Sequence, residues 1–175
     1  MIITGNLSAH FDKIEFRCKC GKSHDYNIES ELINKLEKLY DIMGASAIIV
    51  TSGFRCPEYS KSIGGYFNDA HTKGIAADII VQRKATNTPY YNSEDVAEAA
   101  ERVGFTGIGI IDNMAVHVDI RNDNNYVNSH WFGDERTGND NIETFQRGSV
   151  FDGENNTKHK IAVYYDGVLI NESEV

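Results

Sequence analysis

Two short stretches hold residues whose types and spacing suit chemistry. The first is DAHTKGIAADI, Asp69 to Ile79, which sets His71 and Asp78 seven residues apart with small, apolar or flexible neighbours around the aspartate. The second is MAVHVDIR, Met114 to Arg121. Read as a strand, it puts Met114, Val116, Val118 and Ile120 on one face and Ala115, His117, Asp119 and Arg121 on the other. A strand that only fills a core has no use for three ionisable groups on its second face, whereas the floor of a wet cleft does. His71, Asp78 and His117 together make two imidazoles and one carboxylate. Three such ligands with a fourth position open to water are the usual make-up of a catalytic zinc site; cobalt and manganese also accept them. As spacing alone, the same residues equally suit a solvated loop histidine and an aspartate that binds backbone amides.

These residues need elements to aim them. Leu32, Ile33, Leu36, Leu39, Tyr40 and Met43 recur at helical offsets over Ser30–Met43, with Gly44 as the stop. AIIVT and IAADIIV read as buried strands, and the second carries Asp78. Between them, SGFRCPEYSKSIGG reads as a loop with a short helix begun by Pro57. QRKATNTPYYN reads as a loop. Ser93 is the expected N-cap of a helix that runs to about Val103 and stops at Gly104. GIGII, the Asp112–Asn113 turn and MAVHVDIR read as a hairpin. Near the end, KIAVYYDGVLIN reads as a second hairpin with a type I′ turn at Asp166–Gly167. From Gly133 to Lys160 the chain is polar and reads as irregular. The expected fold class is α+β, a small antiparallel sheet with helices packed on one side.

Composition narrows the function. The 175 residues suffice for one domain with a real core. Acids outnumber bases 26 to 17, a net charge of −9, which argues against a nucleic-acid partner and against passive adhesion to anionic surfaces. No apolar run is long enough to cross a membrane, and MIITGNLSAHF lacks the basic and apolar regions of a signal peptide. The three cysteines are Cys18, Cys20 and Cys56. An odd count makes a poor disulfide framework, and without an export signal the thiols are expected to be reduced. CKCG has C-x-C spacing and no second pair, so it reads as a tight turn near the N-terminal core rather than a zinc knuckle. His10, His24, His130 and His159 read as structural or surface residues, with a cleft wall as the alternative for His130, beside Trp131.

TSGFRCPEYSKSIGG, HTKGIAAD and VHVDIR together resemble the M15 family of zinc peptidases, the D-Ala-D-Ala carboxypeptidase and L-alanyl-D-glutamate endopeptidase group. The resemblance extends to LSAHFDKIEFRCKCG and GFTGIGII and covers about Leu7 to Gly133. It implies a hedgehog/DD-peptidase-like zinc fold, with residues 1–133 as the peptidase domain and 134–175 as a C-terminal extension with a β-hairpin, either separate or part of the same domain. It places the family's H-x6-D motif on His71 and Asp78, its third Zn2+ ligand on His117, and Arg55 of SGFR where relatives hold a substrate carboxylate or nearby polar group. Many such enzymes come from bacteriophages or bacteria and cleave the peptide stems of peptidoglycan. The implied activity is therefore zinc-assisted peptide hydrolysis. The implied setting is a phage lysin or virion-associated enzyme, made in the cytoplasm and acting on the cell wall after release or within a particle.

The chain departs from the family at two places. Many relatives carry an acid or a histidine two or three residues before the last zinc ligand; here these are Ala115 and Met114. The close relatives also read HVD, so Asp119 is the expected general base, with a supporting role for it as the alternative and Asp112 as the second choice. Relatives often have Ser where this chain has Asp69, which adds negative charge near the metal. The missing base leaves room for a catalytically silent zinc-fold binding module. The last hairpin reads first as packing on its own domain, and alternatively as a docking edge for a virion or tail protein.

Overall fold

The computed structural model describes residues 6–84, 89–121 and 130–147, together with the backbone of 161–165 and 168–173. A 3-10 turn, Lys13–Phe16, leads through an irregular segment to helix α1, Ser30–Ile42. Strand β1, Ala45–Ser52, is followed by the six-residue helix α2, Pro57–Ser62, and strand β2, Ala76–Arg83. Helix α3, Ser93–Val103, precedes strands β3, Gly107–Ile110, β4, Ala115–Asp119, and β5, Trp131–Asp134. Strands β6, Ile161–Tyr165, and β7, Val168–Ser173, form a separate antiparallel pair. The Asp166–Gly167 turn expected between them lies outside the described residues. No helix among the described residues is long and apolar enough to cross a membrane.

The main sheet has the order β1-β2-β4-β3-β5. The α+β expectation holds, and the sheet is mixed rather than wholly antiparallel, because β5 runs parallel to β3. The geometry follows from where the chain crosses. Strand β4 ends with Asp119 opposite Gly107, and β5 begins with Trp131 opposite that same Gly107. A strand that starts beside the start of β3 runs with it.

Alternation assigns the two faces. Ala77, Ile79 and Val81 of β2, Ile108 and Ile110 of β3, and Val116 and Val118 of β4 are buried in one core. Leu32, Ile33, Leu36 and Leu39 of α1 and Val96, Ala97 and Ala100 of α3 cover that face. At about 25 cal/mol per Å² of apolar surface removed from water, this layer is the main source of stability. Asp78, His117 and Gly109 lie in one cross-strand row, and Ala76, Asp119 and Gly107 in the next, all on the opposite face. The helices hold the sheet from behind and leave that face for chemistry.

One cap differs from expectation. The N-cap of α3 is Asn92, whose side chain accepts the Asp95 N–H at 2.8 Å, and Ser93 is the first helical residue, fully buried. The helix does stop at Gly104. The division expected at 133 falls inside β5, and beyond it Ile142 and Phe145 pack against the same core. Glu101 of α3 accepts the backbone N–H groups of Phe145 and Gln146.

Candidate metal centre

Strand β2 presents Asp78 and strand β4 presents His117 directly opposite it. His71 comes from the turn before β2, where Gly74, at φ +71°, lets the chain reverse. A side chain at Gly74 would also meet the Asn27 carbonyl oxygen at 2.0 Å. His71 Nε2 lies 3.1 Å from His117 Nδ1 and 3.2 Å from Asp78 Oδ1, and His117 Nδ1 lies 2.8 Å from Asp78 Oδ1. Three ligand atoms thus form a nearly equilateral triangle. A tetrahedral zinc with ligands at about 2.0–2.2 Å spaces them roughly 3.3 Å apart. The observed triangle is slightly tighter than that, so the three residues fit one small cation with little movement.

The outer atoms of each ligand are held as well. His71 Nδ1 is 2.7 Å from the Gly53 carbonyl oxygen, which can only accept, so the proton sits on Nδ1 and Nε2 keeps its lone pair. His117 Nε2 is 3.0 Å from Asp119 Oδ2, on the far side of the ring from Asp78. The second oxygen of Asp78, Oδ2, accepts from Arg55 Nη2, while Arg55 Nε donates to Ser52 Oγ at 2.8 Å. Carboxylate and carbonyl partners of this kind fix ring orientation and tautomer around a metal.

Charge follows from these contacts. Burial alone would lower the pKa of His117, but its bonds to Asp119 and Asp78 override that and raise it to about 9. Burial would raise Asp78, yet the hydrogen bond and positive charge of His117 hold its carboxyl well below the usual carboxylate range. Asp119 is likewise pulled well down, against its burial, by His117 and Arg121. Without a cation, His117 Nδ1 therefore keeps its proton and donates it to Asp78 Oδ1 at 2.8 Å. A divalent cation binds there only by displacing the proton.

Asp119 itself is fully buried and bonded to His117 and Arg121. Its carboxylate occupies the space beside Gly107, where an added Cβ would lie 2.2 Å from Oδ2. It faces the rear nitrogen of His117 rather than the ligand triangle. Asp112, the second choice for a base, accepts the N–H groups of Met114 and Ala115 at 2.7 Å and shapes the β3–β4 turn. Asp69 accepts from Ser60 Oγ and from the Thr72 N–H at 3.0 Å, so its added charge is tied into the turn that carries His71.

The triangle opens into a cavity of about 220 Å³ that Arg55, Asp69, Arg121, Trp131 and Glu135 help to line. A larger groove of about 410 Å³ along β1, beside Glu15, Arg17 and Lys19, has no converging ligand atoms and stands apart from this chemistry. Trp131 meets His117 edge-on at 6.2 Å between ring centroids, and the Arg121 guanidinium lies 5.2 Å from the Trp131 ring centre. Trp131 is thus a cavity wall, while His130 is exposed and lies against Phe132. Glu135 was not foreseen in the sequence. It belongs to no spaced motif and reaches the cavity only because β5 lies parallel to β3.

A family model described as Peptidase M15 matches residues 9–119, a span that contains all three ligands, Arg55 and Asp119. Comparison with curated proteins yields no match. With the motif order, the α+β sheet and the ligand triangle in agreement, the chain belongs to the peptidase M15 family, whose members are metallopeptidases.

Proposed function

We propose that this protein is a zinc-dependent peptidase that hydrolyses peptide-stem bonds of bacterial peptidoglycan, as a phage lysin or a virion-associated wall-degrading enzyme. The observation that carries this reading is the triangle of His71 Nε2, His117 Nδ1 and Asp78 Oδ1, with edges of 3.1, 3.2 and 2.8 Å, opening into a cavity. Two guanidinium groups, Arg55 and Arg121, line that cavity in a chain of net charge −9. They suit a peptide that carries carboxylates, as peptidoglycan stems do.

His71 through Nε2, His117 through Nδ1 and Asp78 through Oδ1 would hold the metal. Bound there, zinc supplies a Lewis acid for the scissile carbonyl and makes water acidic enough to attack near neutral pH. The chain's own groups do the rest. Arg55 fixes Asp78 by its outer oxygen and offers the substrate a cationic wall. Asp119 is assigned to orient His117, with Arg121 holding it in turn, because its buried carboxylate faces away from the triangle. The base role expected of Asp119 passes to Glu135, the exposed carboxylate at the cavity. Glu135 takes the proton of the attacking water and returns it to the leaving amine. Trp131 shields one side of the reacting bond from solvent.

The test is release of new amine termini from purified peptidoglycan by the zinc-loaded protein. Identifying the freed residue by mass spectrometry names the bond. Zinc-loaded protein that releases no amine from any wall type would instead support a binding module.

A further inference from the structure

A second group of metal-binding side chains lies outside the cavity. Cys18, Cys20, His24 and Cys56 each offer one ligand atom, and the four atoms all lie within 4.8 Å of one another. By itself CKCG has C-x-C spacing and no second pair, the pattern of a plain turn. The fold supplies the missing two ligands from elsewhere. His24 comes from the irregular segment before α1, and Cys56 is the N-cap residue of α2. We propose that these four residues bind a structural zinc ion, distinct from the metal of the cavity.

The donor set is the first support. Three thiolates and one imidazole match a closed Cys₃His site with no position left for water, and soft sulfur ligands favour zinc among the common divalent ions. A tetrahedral zinc with Zn–S near 2.3 Å spaces its sulfurs roughly 3.8 Å apart, inside the observed limit. Cys20 Sγ and His24 Nε2 are in direct polar contact at 2.9 Å. The surroundings are the second support. The Cys56 N–H points at Cys18 Sγ at 3.3 Å and the Lys22 N–H at Cys20 Sγ at 3.4 Å. Donors of this kind stabilise thiolate charge, and the second depends on Gly21, at φ +79°, turning the chain after Cys20. Cys18 and Cys56 are buried, Cys20 and His24 half-buried, and all three cysteines are free of disulfides.

The location gives the ion a purpose. Residues 17–29 have no regular secondary structure to hold them. A metal here would staple that segment to the SGFRC loop. This loop supplies the Gly53 carbonyl that orients His71 and Arg55 that holds Asp78. The proposal concerns folding and does not depend on which bond, if any, the cavity cleaves.

The test is metal analysis of the full chain purified under reducing conditions with zinc. Two zinc ions per chain are expected, with one retained in His117→Ala and one in Cys20→Ser. Cobalt substitution gives a second readout that needs no thiol variant to fold: a thiolate-to-cobalt charge-transfer band in the near ultraviolet, present in wild type and in His117→Ala. One zinc per chain that His117→Ala abolishes, or a cobalt form of wild type lacking the thiolate band, would overturn the proposal.

Discussion

Asp119 Oδ2 lies 3.0 Å from His117 Nε2, while Nδ1 of the same ring lies 2.8 Å from Asp78 Oδ1. One imidazole thus spans two carboxylates, one behind it and one beside it in the ligand triangle. This arrangement makes Asp119 a positioning residue. Asp119→Asn keeps the size and removes the charge, and it should weaken metal binding by about 10–100-fold, as loss of a carboxylate behind a metal-bound histidine does. Competition with a calibrated chelator measures this. Unchanged metal affinity with activity abolished would instead return Asp119 to the role of base.

Glu135→Gln should leave zinc content unchanged and lower kcat by about 10²–10⁴-fold, the usual worth of a positioned proton acceptor. The pH profile of the variant should lose its acidic limb. Full activity in this variant would require the base to come from elsewhere.

Metal uptake should release a proton. His117 is raised to about 9, so at pH 7 the metal-free protein carries that proton and the metal must displace it. The sign is therefore fixed: affinity rises by about tenfold per pH unit between pH 7 and 9 from this group, then levels off above 9. Calorimetry in buffers of different ionisation enthalpy counts the protons, in Cys20→Ser protein so that thiols do not contribute. Zero release at pH 7 would contradict the charge assignment.

Gly107 leaves room for Asp119 where a Cβ would sit 2.2 Å from its Oδ2. Gly107→Ala should therefore destabilise the fold by about 1–3 kcal/mol, as overpacking does, and loosen metal binding through His117. Thermal unfolding and the chelator assay check the two effects. Val118→Ala, on the helix-covered face, should cost stability alone.

Much of the fold is legible in the sequence. Helix α1, strands β1, β2 and β4 and the short α2 announce themselves by periodicity, by β-branched runs and by Pro57. The alternation of MAVHVDIR places Val116 and Val118 in the core and His117 and Asp119 on the other face, although Asp119 is as fully buried as the valines. What stayed hidden depends on where distant segments cross. The parallel pairing of β5 brings Trp131 and Glu135 to the cavity, and no local pattern encodes a strand returning beside Gly107. The meeting of Cys56 with CKCG and His24 has the same origin, since the ligands are contributed by two loops rather than one motif. Asn92 took the cap from Ser93 by a single residue, within the range where both side chains serve equally well.

The most direct test compares amine release from peptidoglycan by wild type and His117→Ala, each with its metal content measured. The account predicts that wild type releases new amine termini, that the cavity metal and the release vanish together in the variant, and that chelator-stripped wild type recovers activity when zinc is restored. Amine release that persists in His117→Ala would contradict it.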